Sequence, residues 1–465
     1  MTKATILTFM ALALSTPSVD SCTYYASPSG GGNGVSRNSP FQIADFWTVA
    51  IPGMILCLLD GVYADGRSNI SPPNGKSGTA SAPITIMALN DGAVRIDGQN
   101  SKYPVLLRGN SYLVIQGINA NNSSGTVIAI SSGATNNVIR RVVAWDARDE
   151  NYEVFGIHNS NHNLLEDVAG FGVARKIFSF SQDGNDNICR RCWGRWEGST
   201  NVGPKVTFEV TYNNYRNTYE NVIGTWNSGS MPKTYTLQNN GARWTGSYAG
   251  TYTSGEMDQA YGIIAEGQPN WHAGTKIVGS IAYVRATDKF PASGAYFIQA
   301  GQSGLELINN VAYVDPGSHV GKPTFLLSSD SSEVGLVAKN LTGIGGAGNK
   351  ISGKWMQSNV EFGRAIAQVP SIYDSTRGAR ICHRYYNGQL SNQPLWPWPM
   401  NRRILDATTF ASASSHQHYI HQGSPPALTL VNEPHAPVDV TATIEAIFGR
   451  IPAACTEGGA VTGRP

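Results

Sequence analysis

Short apolar-polar-polar-apolar segments return along this sequence at a near-constant interval. They are Ile115-Gln-Gly-Ile118, Ile139-Arg-Arg-Val142, Leu165-Glu-Asp-Val168, Cys189-Arg-Arg-Cys192, Tyr219-Glu-Asn-Val222, Val278-Gly-Ser-Ile281, Ile308-Asn-Asn-Val311 and Ala338-Lys-Asn-Leu341. The step from one to the next is roughly 24 to 30 residues, and the single longer step, from Tyr219 to Val278, is close to two coils. A period of this length, built from short strands with Gly and Asn between them, is the mark of a solenoid. No helical stripe lies between the strands, which excludes leucine-rich and all-helical arrays. The expected fold is all-β: a single-stranded, right-handed parallel β-helix with an N-terminal cap and an irregular C-terminal tail. Its coils stack at about 4.8 Å.

The repeat assigns roles to residues that would otherwise suggest chemistry. In "NICRRCWGRWEG" (187–198), Cys189 and Cys192 fill slots held elsewhere by Ile, Leu and Val. They read as buried core residues. A disulfide between them is the first alternative; a metal or redox site is the second, and no other ligand pair stands at zinc spacing. The column between the slots reads Gln116, Arg140, Glu166, Arg190, Glu220, and the next reads Gly117, Arg141, Asp167, Arg191, Asn221. Charges that alternate in sign between stacked strands attract, so ion-pair ladders are expected. Further along, Ser280, Asn310 and Asn340 suggest an asparagine ladder.

The N-terminus carries Lys3, then an apolar stretch from Ala4 to Leu14, then small residues before Cys22. The stretch is too short to span a bilayer. It reads as a secretory signal over residues 1–21, with a lipoprotein signal ending at Cys22 as the alternative. The expected location is therefore extracellular or periplasmic, where the six cysteines can pair, Cys382 with Cys455 first among the candidates. The formal net charge of +2 and the absence of a dense Lys/Arg run give no support to a nucleic-acid partner. No segment reads as a membrane span, and a monomer is expected. The β-helix is assigned to 22–365. Beyond about 366 the pattern changes: "PLWPWPMNRRILDA" (394–407) cannot be a central strand, and "VDVTATIEAIFGR" (438–450) suggests a short helix. The tail 366–465 is expected to pack along the solenoid or cap it.

Three motifs carry a resemblance. "YYASPSGGGNG" (24–34), "PGMILCLLDGVY" (52–63) and "SGTASAPITIMA" (77–88) resemble the opening of right-handed β-helix polysaccharide lyases of the chondroitinase B and alginate lyase type, within the pectate-lyase-like superfamily. The resemblance covers residues 23–100 closely and the repeat in architecture. It implies a lyase that cleaves an acidic, uronate-containing glycan by β-elimination. It leaves calcium as the one candidate cofactor, with no metal ligands assigned. A glycoside hydrolase on the same fold and a non-catalytic glycan-binding solenoid are the alternatives.

Elimination needs a cation to neutralise the uronate, a base and an acid. "ARKIF", "GPKVTFEV" and "MPKTYTL" place Lys176, Lys205 and Lys233 one coil apart from each other, a spacing that would stack them in an exposed row. Lys176, Lys205, Arg195 and His158 are the catalytic candidates; Lys205→Ala is expected to abolish turnover. Arg175, Lys233, Glu209, Trp196 and Trp226 are candidates for substrate binding; the two tryptophans read either as an exposed ring row or as rings packed beneath neighbouring loops. Tyr212 and Tyr215 are candidate phenolic acids.

Overall fold

The structure, a computed structural model, describes residues 21–148, 151–198, 205–211, 214–226, 234–237, 246–249, 260–265, 274–284, 294–300, 303–315, 323–329, 332–365, 367, 371–373, 381–413, 419–420, 428–429 and 436–457. Residues 1–20 of the expected export signal over 1–21 lie outside them. Among the described residues, parallel strands build one 21-stranded sheet and one nine-stranded sheet. The larger sheet is two ladders joined where strand Val337–Gly345 pairs in both. The chain thus winds as a right-handed parallel β-helix with three ladders per coil. Helix α1 (Ile43–Val49) covers the first coil and buries Phe46 and Trp47, shielding strand edges that would otherwise offer unpaired backbone.

The register follows the repeat through five coils: Ile115 pairs with Ile139, Ile139 with Leu165, Leu165 with Cys189, and Cys189 with Tyr219. Tyr219 then pairs with Ile277 rather than Val278, and Ile277 with Leu307 rather than Ile308. The sequence offers two adjacent apolar residues there, and periodicity alone picks the wrong one. The backbone decides by conformation. Gly117, Arg141, Asp167, Arg191, Asn221, Gly279, Asn309 and Asn340 all have φ between 50° and 80°, a left-handed turn best suited to Gly and Asn. The asparagine ladder is accordingly Asn309–Asn340–Asn359, while Asn310 accepts from the Ser280 N–H.

The ion-pair ladder forms as expected. Glu166 meets Arg140 at 2.7 Å and Arg190 at 3.1 Å, and Arg190 continues to Glu220. Cys189 and Cys192 are buried, and they are bonded to each other; Cys22–Cys57 and Cys382–Cys455 are the other disulfides. The adjacent slots that place both side chains in the core also bring the two sulfurs together.

Within the coils, Phe155, Phe178 and Phe208 stack ring on ring at 4.7 and 4.6 Å. Phe178→Ala removes the middle ring and is expected to reduce stability by about 3–5 kcal/mol. Urea unfolding checks this through a lower midpoint at unchanged slope.

Helices α2 (Asn401–Ala413) and α3 (Val440–Phe448) lie over the outer face of the long sheet, in one apolar cluster with Trp145, Phe171 and Trp193. Arg403 fastens α2 by bonding Asp91, the Arg141 and Ile118 carbonyls and Asn119. The tail therefore covers the aromatic rows on that face.

Candidate functional site

In the nine-stranded sheet, Phe155, Ile157, Phe178, Phe180, Phe208 and Val210 belong to the core. The alternate residues Gly156, His158, Ser179, Ser181 and Glu209 therefore face outward. Register aligns Gly156 with Ser179 and Glu209, and Arg108 with Ser131, His158 and Ser181. Glu153 and Lys176, paired at the starts of their strands, bring their charged ends to the same patch.

The patch is tightly linked. Lys176 Nζ lies 2.9 Å from Glu209 Oε2 and 3.7 Å from Glu153 Oε1. Ser179 Oγ donates to Glu209 (2.8 Å), and Thr126 Oγ1 donates to Glu153 (2.8 Å). His158 Nε2 is 3.3 Å from Glu153 Oε2, and its Nδ1 is 2.5 Å from Ser181 Oγ. A glycine at 156 is required for this arrangement: a Cβ there would meet His158 Nε2 at 2.8 Å and Glu153 Oε2 at 3.1 Å. Tyr103 lies at the margin, with Tyr152 and Glu153 acting on its phenol. Burial first, then Tyr152 and the nearby charge of Glu153, push that phenol above the ordinary value, so it stays protonated.

Burial acts against each charge in the patch, and the partners win. It would raise Glu153, but His158, Lys176 and Thr126 hold the carboxyl at about 2. It would lower Lys176, but Glu209 and Glu153 hold the ammonium above its ordinary value. In the ladder, Glu166 is likewise held at about 2 against burial, by Arg191, Arg140 and Arg190. Both carboxyls are more acidic folded than unfolded. Their stabilisation, about 3 kcal/mol each, is present above the unfolded value and is lost as pH falls toward 2. Urea unfolding free energy is expected to drop steeply from about pH 5 to pH 2, with a shallower drop in Glu153→Gln.

The structure thus gathers His158, Lys176 and Glu209 from the sequence candidates. Arg175 is next to Lys176 and bonds Asn151 Oδ1 at 2.5 Å. Other candidates are placed differently. The lysines do not form one row: Lys176 pairs with Val206, Lys205 with Ala260, and Lys233 lies outside the described residues. Lys176 is buried between two carboxylates rather than exposed. Arg195 belongs to the long sheet, where it pairs with Glu197 at 2.5 Å and lies over Phe171 and Trp193. Trp196 is core, its Nε1 donating to the Ala174 carbonyl, so it offers no face to a sugar. Trp226 pairs with it along the backbone. Tyr212 lies outside the described residues.

Sequence reasoning missed Glu153, Ser181, Arg108 and Tyr103. A signal existed for three of them: "VLLR", "IAIS", "EVFGIH" and "KIFSFS" align on their apolar positions once the second ladder is read as its own repeat. Among the described residues, no group of three or more His, Cys, Asp or Glu side chains could hold a metal ion. No helix among them is long and apolar enough to cross a membrane.

No protein family and no curated protein matches the sequence. Solved structures do resemble it in fold. A pectate lyase, Pel9A, is 18% identical with a TM-score of 0.43, over 67% of this chain and 76% of that one. An alginate lyase from Paenibacillus sp. str. FPU-7 is 13% identical with a TM-score of 0.36, over 73% and 96%. The GH136 lacto-N-biosidase from Eubacterium ramulus is 12% identical with a TM-score of 0.46, over 73% and 68%. The likeness is to the coiled architecture alone, which hosts more than one reaction.

Proposed function

We propose that this chain is an exported carbohydrate-active enzyme that cleaves an acidic polysaccharide by β-elimination on the outer face of the nine-stranded sheet. One observation carries the reading: three consecutive coils bring Glu153, His158, Lys176, Ser181 and Glu209 into mutual contact on that face. Desolvating such charges is costly, at several kcal/mol per ion, and here, unlike in the Arg140–Glu166–Arg190–Glu220 ladder, a partly exposed histidine stands among them. Lys176, Arg175 and Arg108 outnumber the carboxylates Glu153 and Glu209, which suits an anionic chain. In this reading Arg108, exposed on the His158 row, neutralises the uronate carboxylate. His158 takes the proton beside it, and the Tyr103 phenol protonates the departing oxygen.

A second reading, hydrolysis, draws on the two carboxylates flanking Lys176, since glycosidases use a carboxyl pair. The test is a screen of the mature protein against alginate, pectate, chondroitin, hyaluronan and heparin-like chains, with and without calcium. Elimination gives new ultraviolet absorbance from unsaturated uronates. New reducing ends without that absorbance would transfer the assignment to hydrolysis. Retention of glycan with neither signal would make the solenoid a binding protein.

A further inference from the structure

In elimination Ser181 only anchors the imidazole, yet its hydroxyl is the group that His158 holds nearest. Ser181 Oγ lies 2.5 Å from His158 Nδ1, and the opposite ring nitrogen, Nε2, lies 3.3 Å from Glu153 Oε2. An ionised carboxylate at Nε2 fixes the proton there, which leaves the Nδ1 lone pair directed at the serine. Thr126 Oγ1 and Lys176 Nζ hold that carboxylate from its other sides. Nucleophile, base and orienting acid therefore stand in sequence, an arrangement recognised by geometry and roles rather than by position in the chain. Here the two ring nitrogens exchange the roles they have in the familiar serine triad.

The residues beside the imidazole are small. On the outward rows beside the imidazole stand Ala129, Ser131, Gly156 and Ser179, none of which extends far above the sheet. Ser181 is the last residue of its strand, before a turn through two left-handed residues, Gln182 and Asp183. The serine is 2% exposed, whereas the His158 side chain is 22% exposed. The nucleophile is shielded from bulk water while its base borders the open face.

We propose that Ser181, His158 and Glu153 form a nucleophilic relay that hydrolyses short-chain acyl esters of sugar hydroxyls. Nδ1 takes the Ser181 proton as Oγ attacks the ester carbonyl carbon. The bond from that carbon to the sugar oxygen breaks, and the imidazolium returns the proton to the departing sugar hydroxyl. Water, deprotonated by the same Nδ1, then attacks the acyl-serine. It releases the carboxylic acid and restores the hydroxyl. Ester plus water becomes acid plus alcohol, with no other reactant. The sugar half of the substrate rests on the polysaccharide reading above; the ester chemistry does not.

The test uses the full mature chain, a fluorophosphonate probe and 4-nitrophenyl acetate. Peptide mass spectrometry is expected to find the phosphonyl adduct on Ser181. Release of 4-nitrophenol is expected to fall more than 100-fold in Ser181→Ala and in His158→Gln, with circular dichroism unchanged. In Ser181→Cys the thiol is expected to react with iodoacetamide faster than an ordinary exposed thiol, and His158→Gln in that background to remove the advantage. A folded protein with no adduct on Ser181, or ester hydrolysis unaffected by Ser181→Ala, overturns the proposal. Unsaturated uronates are read separately, so failure of esterase activity and failure of polysaccharide cleavage are distinct results.

Discussion

Replacing His158 with alanine is expected to lower turnover of the acidic glycan by on the order of 10²–10⁴-fold, with the far-ultraviolet spectrum unchanged. Two other charged groups in this patch are locked. Glu153 is held ionised by His158, Lys176 and Thr126, and Lys176 is held protonated by Glu209 and Glu153. Neither can take and then return a proton. An imidazole can do both in neutral water, and this one is partly open to solvent beside two anchoring contacts. The loss should appear in kcat, with KM little changed, because the proton transfer occurs only in the transition state. A fall of less than tenfold would remove His158 from the reaction.

Lys176→Met is expected to be the most destabilising single change in the patch, at about 3–5 kcal/mol. The methionine fills similar volume but leaves Glu153 and Glu209 buried and facing each other without the ammonium between them. The penalty should shrink as pH falls and one carboxyl takes a proton. It should also shrink when Glu209→Gln is added, since that removes one of the two stranded charges. A double-mutant cycle by urea unfolding measures the coupling. Additive effects of the two substitutions would mean that the ammonium does not hold the carboxylates together.

The coils are legible in the sequence because an inward slot tolerates only a narrow range of side chains, and that range repeats. Leu165, Cys189 and Tyr219 differ in chemistry but share the demand to fill one layer of core. The slip at Val278 has the opposite cause. Two neighbouring residues are both apolar, and only the left-handed turn at Gly279 and Asn309 tells them apart. The sequence foreshadows α3 and a tail packed along the solenoid, but neither α2 nor the place of docking. That depends on Arg403 reaching Asp91, far away in the chain, and no local pattern encodes such a contact.

The site is half legible for a related reason. The near-equal spacing of Lys176 and Lys205 suggests a stacked row, but the second ladder does not advance evenly. It sets Glu153 beside Lys176 and Lys176 beside Val206, which leaves Lys205 one position out of register with Lys176. Glu153 is in register with Lys176, yet a single acidic residue at a strand start forms no motif. The tryptophan row misleads because its spacing is the same whether it faces solvent or core. Strand alternation with Arg195 and the Ala174 carbonyl contact put Trp196 inside.

If an acidic glycan is cleaved on the outer face of the nine-stranded sheet, that face should hold the glycan in a trapped complex. The most direct test is a crystal structure of the His158→Ala protein with a uronate oligosaccharide drawn from whichever polymer the wild-type protein degrades. Sugar rings are expected to lie across the Arg108–Ser131–His158–Ser181 row, with a carboxylate against Arg108 and the Tyr103 phenol at a glycosidic oxygen. An oligosaccharide bound instead on the long sheet or at an end of the solenoid, with this row bare, would contradict it.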